Sequence, residues 1–292
     1  MVRAMLIAVL ITIGLQGNAQ TESRITRYNY FFLEAIRQQE MGNLAAAFDL
    51  LNHARDINPK APEVYYEIAG YYVAMQNSKA ARYNFEQAAK LAPDNSTYLE
   101  KLGQFYISQN NYEDALTTYE QLYTSNKTRE DVLQILYQLY GAQNNYKKMI
   151  EMIERMELLS GASEQLSLTK MQIYEQMGDK RKAQAELLRL VQKNPLELNY
   201  RVLLGNWLLQ NNKKKEAYNE YQTVLKEDPN NAAAQLSLLD YYRDTKNEKM
   251  VDELTRKLLE SKKTEKETKM ALLRQAIMDN QDDSAKDSLE VI

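Results

Sequence analysis

Cysteine is absent from this 292-residue sequence, histidine occurs once, as His53, and there are only five prolines, nine glycines, five phenylalanines and one tryptophan. Without cysteine there can be no zinc ribbon, thiol catalysis, iron–sulfur cluster, disulfide framework or lipidated cysteine. With His53 alone, no multi-histidine metal site can be built, and a Ser/His/Asp triad has one place to form. Charge of one sign is also not in excess. The 37 basic and 40 acidic residues give a net −3, no field for gripping a phosphate backbone. The sequence therefore points to no catalytic residue, no metal, no cofactor and no nucleic-acid partner. What it does have is 44% apolar and 26% charged residues and 21 tyrosines, enough apolar surface for a folded core.

Long hydrophobic runs are missing too, except at the start. Arg3 is followed by an uncharged stretch from Ala4 to Leu15 and then by Gln16-Gly17-Asn18-Ala19-Gln20. The run is too short to span a bilayer, which takes about 20 residues as a helix. It has the layout of a secretory signal peptide over 1–19, with small Gly17 and Ala19 before the cut. Cleavage after Ala19 removes only Arg3 among the charged residues and leaves 36 basic against 40 acidic, net −4. The expected mature chain is exported, periplasmic or envelope-associated in a diderm bacterium, with no integral membrane span. A leader retained as an anchor is the alternative.

Four of the five prolines keep a fixed interval. Pro59 and Pro93 are 34 apart, Pro195 lies three such periods later and Pro229 one more. With these prolines at position 32 of a unit, units begin at Tyr28, Pro62, Ser96, Glu130, Glu164, Leu198, Ala232 and Lys266. A short lead-in, 20–27, precedes the first. Position 8 is small in several units (Ala35, Ala69, Gly103, Gly205), as is position 20 (Ala47, Ala81, Ala115, Ala183, Ala217, Ala285). Small residues at both places predict an antiparallel helix hairpin with close approach at that contact, small against small. Position 11 carries Tyr72, Tyr106, Tyr140, Tyr174 and Tyr242, and position 24 carries Leu51, Phe85, Tyr119, Ile153, Leu187, Tyr221 and Leu289. Around positions 14–16 lie Met41-Gly42-Asn43, Gln109-Asn110-Asn111, Gln143-Asn144-Asn145, Met177-Gly178-Asp179 and Gln210-Asn211-Asn212, residues that tolerate the left-handed backbone ending a helix.

These rows resemble the tetratricopeptide repeat, a 34-residue helix–turn–helix unit. The second unit matches nearly throughout, with Tyr65, Ile68, Ala69, Tyr72, Ala81, Phe85, Ala88 and Pro93. The resemblance implies an all-α fold, a right-handed superhelical solenoid of about eight antiparallel helix pairs over 28–292. The fourth unit departs, with Tyr137 and Met149 where small residues belong, so its helices are expected to separate or shift. Glu34 and Gln38 replace apolar residues in the first unit, which suits an end unit facing water. Ala285, Leu289 and Ile292 read as the second helix of an eighth unit with an uncovered apolar face. Dimerisation, a partner, or further chain beyond Ile292 would cover it.

The resemblance also implies that positions 2, 5, 9, 12 and 13 line a concave groove. Position 9 holds Gln104, Gln138, Gln172, Asn206, Asp240 and Arg274, and position 5 of the second unit holds Tyr66. A row of carboxamides, each donor and acceptor, suits the backbone of an extended peptide. Tyr66, Gln104, Gln138, Gln172, Asn206 and Asp240 are the candidate partner-binding residues. The basic residues with which some family members clamp a C-terminal carboxylate are lacking. Trp207 shares its row with Tyr71, Phe105, Leu139 and Ile173, so it is expected in the core. A scaffold binding a protein or extended peptide is the favoured function. A glycan-binding solenoid, or the repeat domain of a longer protein, enzymatic or regulatory, remains open.

Overall fold

The computed structural model describes residues 22–262 and 264–289, and the leader with its cleavage point lies outside them. Among the described residues there are fifteen helices and no strand: α1 over 22–40, then α2 Leu44–Ile57, α3 Pro62–Ala74, α4 Ser78–Leu91, α5 Ser96–Ser108, α6 Tyr112–Ser125, α7 Glu130–Ala142, α8 Tyr146–Ser160, α9 Glu164–Gln176, α10 Lys180–Lys193, α11 Leu198–Gln210, α12 Lys214–Glu227, α13 Ala232–Asp244, α14 Glu248–Glu260 and α15 Lys266–Leu289. From α3 onward, odd-numbered helices start 34 residues apart, and so do even-numbered ones from α2. The chain divides into two compact units, one up to Leu159 and one from Ser160. The first holds four helix hairpins; the second holds three and then α15. None of the described helices is long and apolar enough to cross a membrane.

Each turn inside a hairpin is built the same way. One residue is left-handed (Gly42, Gln76, Asn110, Asn144, Gly178, Asn212 and Lys246, with φ between 54° and 81°), and in five of the seven turns the side chain of the residue after it caps the second helix. Asn77 accepts from the Ala80 amide at 3.1 Å, Asn111 from Asp114, Asp179 from Lys182 at 3.0 Å and Asn247 from Met250. Such a cap satisfies an amide that the first turn of a helix leaves without a partner. Glycine or asparagine takes the left-handed position readily, but Gln76 and Lys246 do not. Gln76→Gly is expected to raise the unfolding free energy by about 1 kcal/mol. Chemical denaturation measures it, and a loss of stability would contradict the turn geometry.

At the hairpin contact, the glycine found at position 8 in two units also meets a large ring from the second helix. A Cβ placed on Gly103 would stand 2.7 Å from the Tyr119 ring, and one on Gly205 2.4 Å from the Tyr221 ring. Both rings are fully buried. The glycine at position 8 therefore receives the ring at position 24, because a large side chain reaches back over the preceding turn of its own helix. In the fourth unit Met149 is accommodated one turn further along, its methyl 3.5 Å from where a Cβ on Gly141 would stand. Successive hairpins are tied by tyrosine–carboxylate bonds: Tyr106 donates to Glu86 at 2.7 Å and Tyr140 to Glu120 at 2.6 Å. These bonds account for part of the tyrosine excess, since a phenol can be buried on its ring and still reach a polar acceptor.

Three further differences appear. Helix α1 covers 22–40, so most of the 20–27 lead-in is helical. Arg24 of this segment donates to the Ile57 carbonyl, and buried Tyr28 donates to Glu63 on α3. Glu34 and Gln38 are half-buried and belong to a polar chain in which Glu34 accepts from Arg37 and Gln38. Those bonds hold the Glu34 carboxyl down at about 2. The eighth hairpin is not formed. Helix α15 runs unbroken for 24 residues, through 279–288, where only Ala285 is apolar. Among the described residues there are thus seven hairpins followed by a single helix, rather than about eight pairs. In the second unit, Lys170 stands at a normally apolar position, 3% exposed. Its ammonium lies 3.1 Å from Glu186, whose carboxylate also pairs with Arg189 at 2.8 Å, as burial of a charge demands.

Candidate functional site

Helix α3 opens with Pro62 in its first turn, where the missing amide costs nothing. Helix α5 is fixed at its start by Asn95, which accepts from the amides of Thr97 at 3.0 Å and Tyr98 at 3.2 Å. Between the two helices lies an open cleft of about 430 Å³. One wall is the α3 face of Tyr66, Glu67, Gly70 and Val73, and the other the α5 face of Lys101, Gln104 and Ser108; Phe85 from α4 and Phe105 complete it. On each helix the spacing, three or four residues apart, sets these side chains one above another.

The floor is aromatic and fixed. Phe85 and Phe105 are buried, their ring centroids 5.5 Å apart. Tyr66 is half-buried and packs between Tyr98 at 5.1 Å and Phe85 at 6.3 Å. Val73 is 49% exposed at the rim. Burial pushes the Glu67 carboxyl up, and a hydrogen bond from Gln39 opposes that shift. Gln104 is held loosely, accepting from Lys101 and donating to Glu100, both at 3.4 Å. It can exchange these long bonds for a ligand's.

Tyr66 and Gln104 are thus brought together in one cleft. Gln138 is exposed on α7 of the same unit. Between α5 and α7 Arg129 binds Glu100 at 3.0 Å and also binds Asp131, so the two acids at these groove positions share one guanidinium. In the second unit Gln172 and Asp240 are exposed, and Asp240 lies 3.6 Å from Arg243. Asn206 is different: its side-chain oxygen accepts the buried Tyr221 hydroxyl at 2.9 Å, which makes it part of its own hairpin's packing. Trp207 is 6% exposed and donates to Glu175 at 2.9 Å, a core residue with a satisfied indole. His53 packs edge-on against Phe31 at 4.3 Å. Glu67, Gly70, Lys101, Phe105 and Ser108 were not candidates from sequence. Gly70 carried a signal, since it stands at position 9 one unit before the row of carboxamides begins.

Among the described residues, no group of three or more His, Cys, Asp or Glu is arranged to hold a metal ion. The cleft offers an aromatic floor, a carboxylate, an ammonium and a carboxamide. That set can bind and orient a ligand.

No curated protein matches the sequence. Among solved structures, the chain is similar to one in the structure of Naa15/Naa10 bound to HypK-THB, with 14% identity and a TM-score of 0.59, over 85% of this chain and 39% of that one. It thus spans well under half of that chain's length. It is also similar to a tetratricopeptide repeat protein from Parabacteroides merdae, at 17% identity over 85% of this chain and 98% of that one, TM-score 0.44. YrrB, described as a TPR protein with an unusual peptide-binding site, aligns at 14% identity over 63% of this chain and 95% of that one, TM-score 0.38. A family model of the tetratricopeptide repeat matches residues 66–129 and 168–232, within the stretch where helix hairpins recur every 34 residues. Across those two stretches the chain carries tetratricopeptide repeats.

Proposed function

We propose that this protein is a non-enzymatic scaffold that holds a segment of a polypeptide partner along the faces of α3, α5 and α7, in the cell envelope after export on the 1–19 leader. One observation carries the proposal: Gln104, able to donate and accept, borders a preformed cleft with an aromatic floor, and Gln138 is exposed on the next odd-numbered helix. Carboxamides beside apolar clefts read an extended chain by its backbone while a pocket selects a side chain. The tetratricopeptide-repeat fold supports a binding role and leaves the partner open, because unrelated functions share a fold.

A photo-crosslinking residue at Gln104 or Gln138, in protein produced in a diderm host, is expected to capture a discrete polypeptide, while the same residue at exposed Lys127 is not. Equal capture from all three positions would discard the proposal. The exported form is expected to begin at Gln20 by N-terminal sequencing; a product beginning at Met1 would return the leader to an anchor.

A further inference from the structure

We propose that the cleft over Gly70 is a docking site for one bulky apolar side chain of a partner polypeptide, with a neighbouring lysine or arginine of that partner set against Glu67. This rests on the scaffold function above and names the chemistry of what the scaffold takes.

Glycine in the middle of a helix is destabilising against alanine. Packing usually explains it, as at Gly103 and Gly205, where a ring fills the space. Nothing of the kind holds at Gly70. It lies inside α3, it is exposed, it is not among the residues of positive φ, and a Cβ there would meet no atom within 4 Å. At the same place in the next two hairpins stand Gln104 and Gln138. What the missing side chain creates is depth. Tyr66 and Val73 flank Gly70 about one turn away on either side, and Phe85 lies behind them, so the gap reaches an aromatic floor. A cleft of about 430 Å³ takes a leucine, methionine or phenylalanine side chain with room for the adjoining backbone.

The charges choose the neighbour. Glu67 is half-buried on the cleft wall, where burial disfavours its charged form and an arriving cation would restore it. The one cation lining the cleft, Lys101, stands on the opposite wall and donates to Gln104. Beyond the cleft, the same faces of α3, α5 and α7 carry Glu63, Glu100 and Asp131, with Arg129 shared between the last two. Acids outnumber bases along this face, so it complements a basic segment.

The test selects displayed random peptides on the intact protein and on two variants, then measures binding of the labelled consensus peptide by fluorescence anisotropy. The expected consensus is a large apolar residue with lysine or arginine within two positions. Gly70→Leu fills the cleft and is expected to weaken that peptide at least tenfold, with helicity and thermal midpoint equal to or above wild type. Glu67→Gln is expected to weaken basic peptides about tenfold and to leave the apolar preference intact. Equal binding to Gly70→Leu would overturn the docking site while leaving the scaffold function standing. An acidic residue beside the apolar one would overturn the pairing with Glu67. Failure of any peptide to enrich on wild type would remove the scaffold function itself.

Discussion

Raising the pH above 10 is expected to unfold this protein cooperatively, and the buried tyrosines are the cause. Burial comes first in each case and raises the phenol's pKa. A carboxylate acceptor adds to it at Tyr28, Tyr106 and Tyr140, through Glu63, Glu86 and Glu120, and pushes all three well above the usual range. Tyr119 is pushed up to about 12, with the Glu100 charge contributing. Tyr242 also reaches about 12, helped by its hydrogen bond with Tyr218, and Tyr221 is raised by burial and Asp240. A phenol whose folded pKa is raised contributes stability that is fully present below the unfolded value of 10 and is lost as pH climbs through the folded value. Between those limits the unfolded chain has released a proton that the folded chain keeps. Each such tyrosine then removes about 1.4 kcal/mol per pH unit. Six acting together would exhaust an ordinary folding free energy within about two pH units. Tyrosinate absorbance and helical ellipticity should therefore change in one shared step, and Tyr106→Phe with Tyr140→Phe should move it to higher pH. Full tyrosine titration with helicity intact would refute this account.

A second large effect is expected from one added methyl group. Gly205→Ala places a carbon 2.4 Å from a carbon of the Tyr221 ring, which has no exposed surface into which to move. Overpacking of this kind costs about 1–3 kcal/mol. Gly103→Ala, at 2.7 Å from Tyr119, should cost less, and Gly70→Ala should stabilise by about 0.5–1 kcal/mol through helix propensity alone. Urea unfolding of the three single variants gives the order, and Gly205→Ala with Tyr221→Leu should be more stable than the sum of the single changes. Three equal effects, or an additive double variant, would show that the rings do not occupy the glycine positions.

The hairpin register could be read from four prolines, because a residue that cannot continue a helix stands at the same place in four of the periods, and their spacing dates the boundaries between. The glycine–asparagine turns were readable for the same reason: those residues are cheap in the left-handed region. Gln76 and Lys246 were not, since at these two the same left-handed turn is closed by backbone bonds, Gln76 and Lys246 donating to the carbonyls of Val73 and Arg243, and nothing in either side chain announces it. The ring over the glycine at position 8 was not legible, because a sequence row shows where small residues are and not which ring leans over them. Lys170 escaped notice because its counter-charge, Glu186, which it shares with Arg189, is distant in sequence. The cleft was half visible. Tyr66 and Gln104 stood out by type, whereas Gly70 contributes by having no side chain, a contribution that appears only when the space around it is seen.

The tyrosine–glutamate bonds between hairpins share one register: Tyr106 to Glu86 and Tyr140 to Glu120 each span 20 residues. Loss of residues 96–129 would join Asn95 to Glu130 and set Tyr140 opposite Glu86, remaking the bond that had been cut. Any recombination event that removes or duplicates 34 residues in this part of the chain meets a joint already made for it, while one of any other length breaks the cap, the turn and the bond together. The chain can change length only in whole steps, as a staircase does.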